Sequence, residues 1–510
     1  MTTTLGAGYV RSGDGEVSST WSAGPETGLG LPRSAAARTS PVLAFCCLSQ
    51  LMIALDVSVV NVGLPAIRAD LGFSDAGLPW VVNAYTIVLA GFLLLGGRAA
   101  DLVAHRTLLT VGFVVFSGAS LAAGLAPNAP ALVAARGLQG VGDAILAPAT
   151  LSLLTSAFIQ PRARARALGA WAAASSCGGT LGMLTGGLLT QFAGWQWMFL
   201  CNVPVGVAAV FAARRLLPRA PRAGGRGRLD VLGAVTASAG LTSLVYGIVH
   251  TEAHGWLSPG TLGPLGAGAA LFALFLLTEH RFAAEPIMPL RVFRHRPLVL
   301  ANLVVFLLGF TMVSTWYFVT LQLQRVLAYS PVEAGLAFVP MTVLLVVCSR
   351  LAGPLLLRLG AGWVLAAGML LAGAGAMLFS RVPAGADYVS DVLAPMLVTA
   401  SGFGLAFVAV TAAATESTAE TGLAAGLVNT TRQVGAALGL ALLVVVSAGA
   451  TDSIRDVVPP LEATAAGLRH ALVGDGAAAV AGALLACFLV PYSSPRGRPR
   501  PPPGDQDRPP

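Results

Sequence analysis

Asp56, Arg136 and Asp143 sit deep inside long apolar stretches of a 510-residue chain, and the remaining charges read as loop, tail or helix-end residues. A charge at the centre of a membrane helix costs roughly 2.5–3.5 kcal/mol on insertion scales, so such residues face a partner or a watery cavity. Arg136, Gln139, Gly140 and Asp143 recur at spacings of three, four and seven, which puts them on one face of a helix. At 1.5 Å per residue Arg136 lies roughly 9 Å from the near end of its apolar run, and Asp56 lies at a similar depth in the first run. The sequence therefore predicts an Asp56–Arg136 pair, direct or bridged by water. Asp143, roughly 10 Å farther along the stripe, is predicted to be out of direct reach of Arg136. Two chemistries are open. A carboxylate that can exchange its arginine for a proton or a cationic ligand is a coupling device; a pair that never opens is a silent buried ion pair.

The elements that must hold these residues follow from composition. The chain is 55% hydrophobic and only 11% charged, with mean hydropathy +0.76, against about 25% charged in a soluble domain. A spanning helix needs about 20 apolar residues. Fourteen such runs are read, near 42–64, 79–98, 106–125, 130–157, 167–191, 197–217, 230–250, 261–279, 299–323, 334–357, 362–380, 392–414, 427–449 and 470–491. A β-barrel is disfavoured, because its strands would alternate polar and apolar residues.

The net charge of +8 does not point to nucleic acid. Every Lys/Arg position is Arg; with the N-terminus cytoplasmic, 25 of the 31 are cytoplasmic, and only Arg68, Arg325, Arg381, Arg455 and Arg469 are external. That asymmetry is the positive-inside rule, and it predicts cytoplasmic termini. The cluster Arg214, Arg215, Arg219, Arg222, Arg226 and Arg228 is then a topological anchor. The six cysteines lie in apolar runs without metal-ligand spacing or a disulfide framework, so no metal or cofactor is expected. Residues 1–40 lack the apolar core of a signal peptide, and they and 493–510 read as disordered tails.

A degraded repeat runs through the chain at an offset near 258. Asp75-Ala76-Gly77-Leu78 returns as Glu333-Ala334-Gly335-Leu336; Gly140, Gly142 and Ala144 as Gly402, Gly404 and Ala406; Gly178, Leu181 and Gly182 as Gly435, Leu438 and Gly439. The prediction is an all-α membrane protein of two parallel six-helix bundles, 41–217 and 299–492, with a linker and two extra helices inserted at 218–298. Such parallel repeats belong to transporters that rock one half against the other around a midplane site.

Three further groups are singled out. Gly97-Arg98-Ala99-Ala100-Asp101-Leu102-Val103-Ala104-His105-Arg106 joins helices 2 and 3; with Arg358, its Gly97, Asp101 and Arg106 could form a latch made in one state and broken in another, or simply a charged turn. Gly178, Gly182 and Gly186 in helix 5 form a close-packing seam, which becomes a gate only if it slides. Asn61, Asn83, Trp316, Tyr317, Gln322 and Gln324 are candidate cavity lining, or interfacial anchors.

From about residue 42 to 491 the chain resembles the fourteen-helix drug/proton antiporter branch of the major facilitator superfamily. The resemblance rests on Leu55-Asp56-Val57-Ser58-Val59-Val60-Asn61-Val62-Gly63-Leu64-Pro65, Trp80-Val81-Val82-Asn83-Ala84-Tyr85, the 97–109 turn and Arg136-Gly137-Leu138-Gln139-Gly140-Val141-Gly142. Trp197-Met198-Phe199-Leu200-Cys201-Asn202-Val203-Pro204 and Gly426-Leu427-Val428-Asn429-Thr430-Thr431-Arg432-Gln433 extend it. It implies proton-coupled export of amphiphilic, often cationic, compounds from a bacterial cell, driven by the proton gradient, with Asp56 and Arg136 taking part. A monomer in the plasma membrane is expected. The sequence departs from that pattern in the loop motif, at Leu102, Ala104 and His105, and in its second copy, at Leu357. It departs again at Met183, where the helix-5 motif has proline, and at Asp143, where a small apolar residue is usual. An importer or uniporter on the same fold remains open, as does a membrane-embedded enzyme on lipid-linked substrates, although the duplicated halves and the lack of a large acidic loop argue against the enzyme.

Overall fold

A computed structural model describes residues 33–74, 77–158, 160–217, 231–281, 296–383, 385–416 and 421–493. Each apolar run falls on helix. The helices are α1 (Arg33–Leu71), α2 (Trp80–Leu102), α3 (His105–Gly124), α4 (Ala129–Ala157), α5 (Pro161–Phe192), α6 (Trp197–Leu216, with a turn at Cys201), α7 (Val231–His254) and α8 (Pro259–Arg281). There follow α9 (Arg296–Leu321, prolonged by a π turn Gln322–Val326), α10 (Pro331–Leu359), α11 (Ala361–Phe379), α12 (Leu393–Glu416), α13 (Thr421–Asp452) and α14 (Pro460–Cys487). Among the described residues eleven of these are long and apolar enough to cross a membrane, and α2 adds a shorter apolar stretch, Trp80–Leu93. Large apolar side chains such as Val114, Phe211, Leu232, Trp363 and Leu370 point outward, as lipid rather than water requires. The chain is an all-helical, multi-pass membrane protein.

Two boundaries differ most from those read in the sequence. Helix α1 begins at Arg33, so residues 33–40, assigned to a disordered tail, are helical. Helix α14 begins at Pro460, ten residues before the predicted 470, because small and polar residues in its first turns dilute the apolar signal without breaking the helix. The two tails at 1–32 and 494–510, and Arg219, Arg222, Arg226 and Arg228, lie outside the described residues.

The turns are set by local chemistry. The side chain of Asn128 caps α4 by accepting from the Ala131 amide at 3.0 Å. Ser330 and Glu333 form a reciprocal capping box at the start of α10, whose first helical residue is Pro331. Gly360, at φ 85°, turns α10 into α11 in one residue, a conformation that favours glycine.

The helices meet on two kinds of surface. Within the first six, α5 lies flat on α1: a Cβ added at Gly178, Gly182 or Gly186 would stand 2.6–2.7 Å from the carbonyl oxygen of Leu51, Leu55 or Val59. The glycine seam read from the sequence is therefore backbone-to-backbone packing. Between the first six and the last six, the largest apolar cluster joins Val59, Val62, Leu64 and Ile67 of α1 to Leu321, Leu323 and Val326 at the end of α9 and to Ala334, Ala337 and Phe338 of α10. These residues lie toward the Leu71 end of α1, the end of α9 and the start of α10, on the distal face, the one farthest from Arg33. The inserted α7 packs beside the same junction, with Leu241 and Val245 against Ile87 and Ala90 of α2 and Ala437 and Ala441 of α13.

Candidate functional site

The predicted pair is present. Asp56 and Arg136 are 0% and 1% exposed, and Arg136 Nη1 donates to Asp56 Oδ2 at 2.8 Å. The guanidinium also donates from Nε to the Val81 carbonyl at 2.9 Å and from Nη1 to Gln139 Oε1 at 2.8 Å. It is held between two rings, 4.5 Å from the Tyr85 centroid and 5.8 Å from that of Phe199. Asp56 Oδ1 accepts from Asn202 Nδ2 at 2.6 Å and from Gln139 Nε2 at 3.2 Å, and Gln139 in turn donates to Ser120 Oγ at 2.8 Å. Five helices thus converge on one charge pair. A pair so enclosed is costly to break from one side only, about 3–5 kcal/mol, because the other charge stays buried.

The inward stripe of α4 is real: Arg136, Gln139 and Asp143 are all buried. Asp143 does not touch Arg136, as its spacing predicted, but the gap is spanned. The Tyr85 hydroxyl donates to Asp143 Oδ2 while the Tyr85 ring stacks on the Arg136 guanidinium. Among the described residues, Asp143 Oδ1 has no hydrogen-bond partner. Tyr85→Phe removes the hydroxyl donor, and the expected cost is about 1–3 kcal/mol, read as a lower unfolding midpoint in detergent. An unchanged midpoint would contradict this account of the Tyr85–Asp143 bond.

The other predicted residues divide. Gln324 Nε2 donates to the Val62 carbonyl at 2.8 Å, which ties the end of α9 to α1. Asn61 and Tyr317 are buried, Trp316 is half-buried, and neither amide atom of the buried Asn83 has a hydrogen-bond partner. Gly97 faces open space, Arg106 is half-buried, Arg358 stands exposed in the last turn of α10, and the Asp101 side chain lies outside the described residues. Met183 is buried, and its carbonyl receives the backbone of Gly335 from α10, where a Cβ would stand 2.6 Å away. A Cβ on Gly187 would stand 2.5 Å from the Pro331 carbonyl, and the Val332 amide donates to Gln191 at 3.3 Å. Helices α5 and α10 therefore meet backbone to backbone on the distal face.

Three partners escaped the sequence reading: Tyr85, Asn202 and Ser120. The first two lie in stretches already singled out, at 80–85 and 197–204, but nothing in their spacing aims them at Asp56 or Asp143. One expectation is corrected outright: the deep charges are not limited to three. Asp475 is 0% exposed in the middle of α14. In the sequence it reads as a helix-end residue, because the apolar run begins only five residues before it.

Comparison with known proteins fits this geometry. Residues 46–440 match the model of the Major Facilitator Superfamily. The chain is 40% identical over 425 residues to the cephamycin export protein CmcT of Amycolatopsis lactamdurans, covering 82% of this chain and 87% of that protein. It is 38% identical over 448 residues to the puromycin resistance protein pur8 of Streptomyces alboniger, covering 87% and 88%. Among solved structures, a bacterial homologue of the human lysosomal transporter Spinster superposes with a TM-score of 0.64 at 17% identity, over 89% of this chain and 97% of that one. With its buried pair, its helical architecture and these matches in agreement, the chain belongs to the major facilitator superfamily, alongside members named for antibiotic export and resistance.

Proposed function

We propose that this protein is a proton-coupled exporter of amphiphilic, antibiotic-like molecules, working by alternating access across fourteen membrane helices of a bacterial plasma membrane, with both termini cytoplasmic. The observation that carries the proposal is the Asp56–Arg136 pair, fully buried yet built from groups that a proton can separate. Protonation of Asp56 removes its charge and leaves Arg136 held by neutral acceptors. That change biases the balance between distal-closed and distal-open states only by its differential effect on the two. Export and resistance relatives support the direction of transport. The close contacts at Gly187 and Gly335 are assigned to a distal gate where α5 parts from α10, while the Gly178, Gly182 and Gly186 seam holds α5 on α1; the Gly97–Arg106 turn with Arg358 is assigned to the opposite latch.

Asp143 is the residue assigned to substrate. Its free oxygen and its place on the inward stripe suit a cationic group. Asp143→Ala is expected to reduce efflux chiefly of cationic substrates; equal losses for neutral and cationic compounds would count against charge recognition. A toxicity and efflux panel in a host lacking its own exporters tests the proposal as a whole. Uptake into cells driven by the same gradient would favour the importer reading instead.

A further inference from the structure

Asp475 is a buried charge in mid-helix that the mechanism above does not use. It lies about 22 Å along α14 from Pro460 and about 18 Å from Cys487, the depth at which an ionisable side chain needs a partner. Its Oδ2 accepts from the hydroxyl of Thr315, itself fully buried in α9, at 2.6 Å, and its Oδ1 has no hydrogen-bond partner.

Among the described residues, no charged group reaches it from the elements packed around α14. Helix α11 carries no titratable side chain. On α13 the candidates are Arg432 and Asp452; Leu443 of that helix lies against Gly474, which puts them about 16 Å and 13 Å away along the axis. Arg432 is bonded to Asn429 and lies over Phe407. On α9, Arg296 is about 28 Å from Thr315, and Tyr317, two positions on, points to another face and meets Phe318. Arg325 in the π turn is about 15 Å beyond Thr315. On α14 itself, Glu462, Arg469 and His470 precede it, and His470 is exposed and bonded to the Ala466 carbonyl.

The contrast with Asp56 is informative. In the first six helices, α1 supplies the acid, α6 the amide of Asn202, and α4 the arginine. The matching positions in the last six are α9, α14 and α12. There α14 supplies the acid, α9 a hydroxyl, and α12 has no basic residue at all. A carboxylate left in such a place without a cation is costly, whereas a carboxyl group bearing its proton is neutral. We propose that Asp475 and Thr315 form a second proton-binding site, in the C-terminal six helices. The carboxyl carries a proton in the state seen here and releases it to water when α9 and α14 separate. Added to the coupled export proposed above, on which this clause rests, the site contributes a second proton to each cycle.

Infrared spectroscopy of the protein reconstituted in lipid vesicles tests the site without transport. At neutral pH the wild type is expected to show a protonated-carboxyl carbonyl band that Asp475→Asn removes and Asp56→Asn retains. A wild-type spectrum that Asp475→Asn leaves unchanged in this region overturns the site. If that variant does not insert, Thr315→Val keeps the acid, and loss of its hydrogen bond must move the band; an unmoved band overturns the site equally. In vesicles, Asp475→Asn is expected to move one proton fewer per substrate while Asp56-dependent efflux continues. An unchanged proton count overturns the coupling clause, and failure of Asp56→Asn to stop efflux would undercut the exporter reading while leaving the infrared result standing.

Discussion

Asp56→Asn is expected to abolish proton-coupled efflux while the protein still inserts in the membrane. The substitution keeps the shape of the side chain and can still meet Asn202 and Gln139, but it leaves the Arg136 guanidinium buried between Tyr85 and Phe199 without an anion. Stranding one member of a buried pair costs about 3–5 kcal/mol, so thermal stability should fall as well. The double variant Asp56→Asn/Arg136→Gln separates the two effects. Removing both charges should restore much of the lost stability, because no uncompensated ion remains. Transport should stay absent, because there is no acid to load. Efflux undiminished in Asp56→Asn, or restored together with stability in the double variant, would reduce the pair to a structural bolt.

The second large effect concerns the distal seal. Gly187→Val places side-chain atoms where the Pro331 carbonyl now sits 2.5 Å from a Cβ position, so α5 and α10 cannot close fully. Overpacking of this kind costs typically 1–3 kcal/mol. The whole of that cost falls on the distal-closed state, which shifts the two-state balance toward distal-open by about 5- to 150-fold. A cysteine at Val332, in a background with the six native cysteines replaced, should then react faster with a membrane-impermeant thiol reagent from that side. Gly186→Val is the control, because its Cβ meets the Val59 carbonyl of α1 within the same six helices at 2.7 Å. It should lower the amount of folded protein instead of shifting the balance. Equal labelling in Gly187→Val and its parent would contradict the gate.

The sequence carried the fold well and the site in part, and the division is physical. Apolar runs about twenty residues long are a strong signal because lipid leaves no other way to satisfy the backbone. The Asp56–Arg136 contact was legible because matched depth and the inward stripe of α4 leave few places for two opposite charges to go. Tyr85 and Asn202 were not legible as partners. Which residue of α2 or α6 meets the pair depends on helix rotation and on the turn at Cys201, and neither leaves a mark in the local pattern. Asp475 was missed for a different reason: hydropathy placed the start of α14 ten residues too late, so a mid-membrane carboxylate looked like a terminal one. The α1–α5 glycine seam was readable from its four-residue spacing, whereas the use of Gly187 and Gly335 against the other six helices needed the assembled structure.

The central claim is that Asp56, paired with Arg136, ties proton movement to substrate movement. Everted membrane vesicles with an acidified interior and a trapped pH-sensitive dye test it directly. Adding a transported antibiotic should release protons from wild-type vesicles and accumulate the drug inside, and vesicles holding the same amount of Asp56→Asn protein should do neither. Equal proton release from both, or drug accumulation that persists once an uncoupler has collapsed the gradient, would contradict the account.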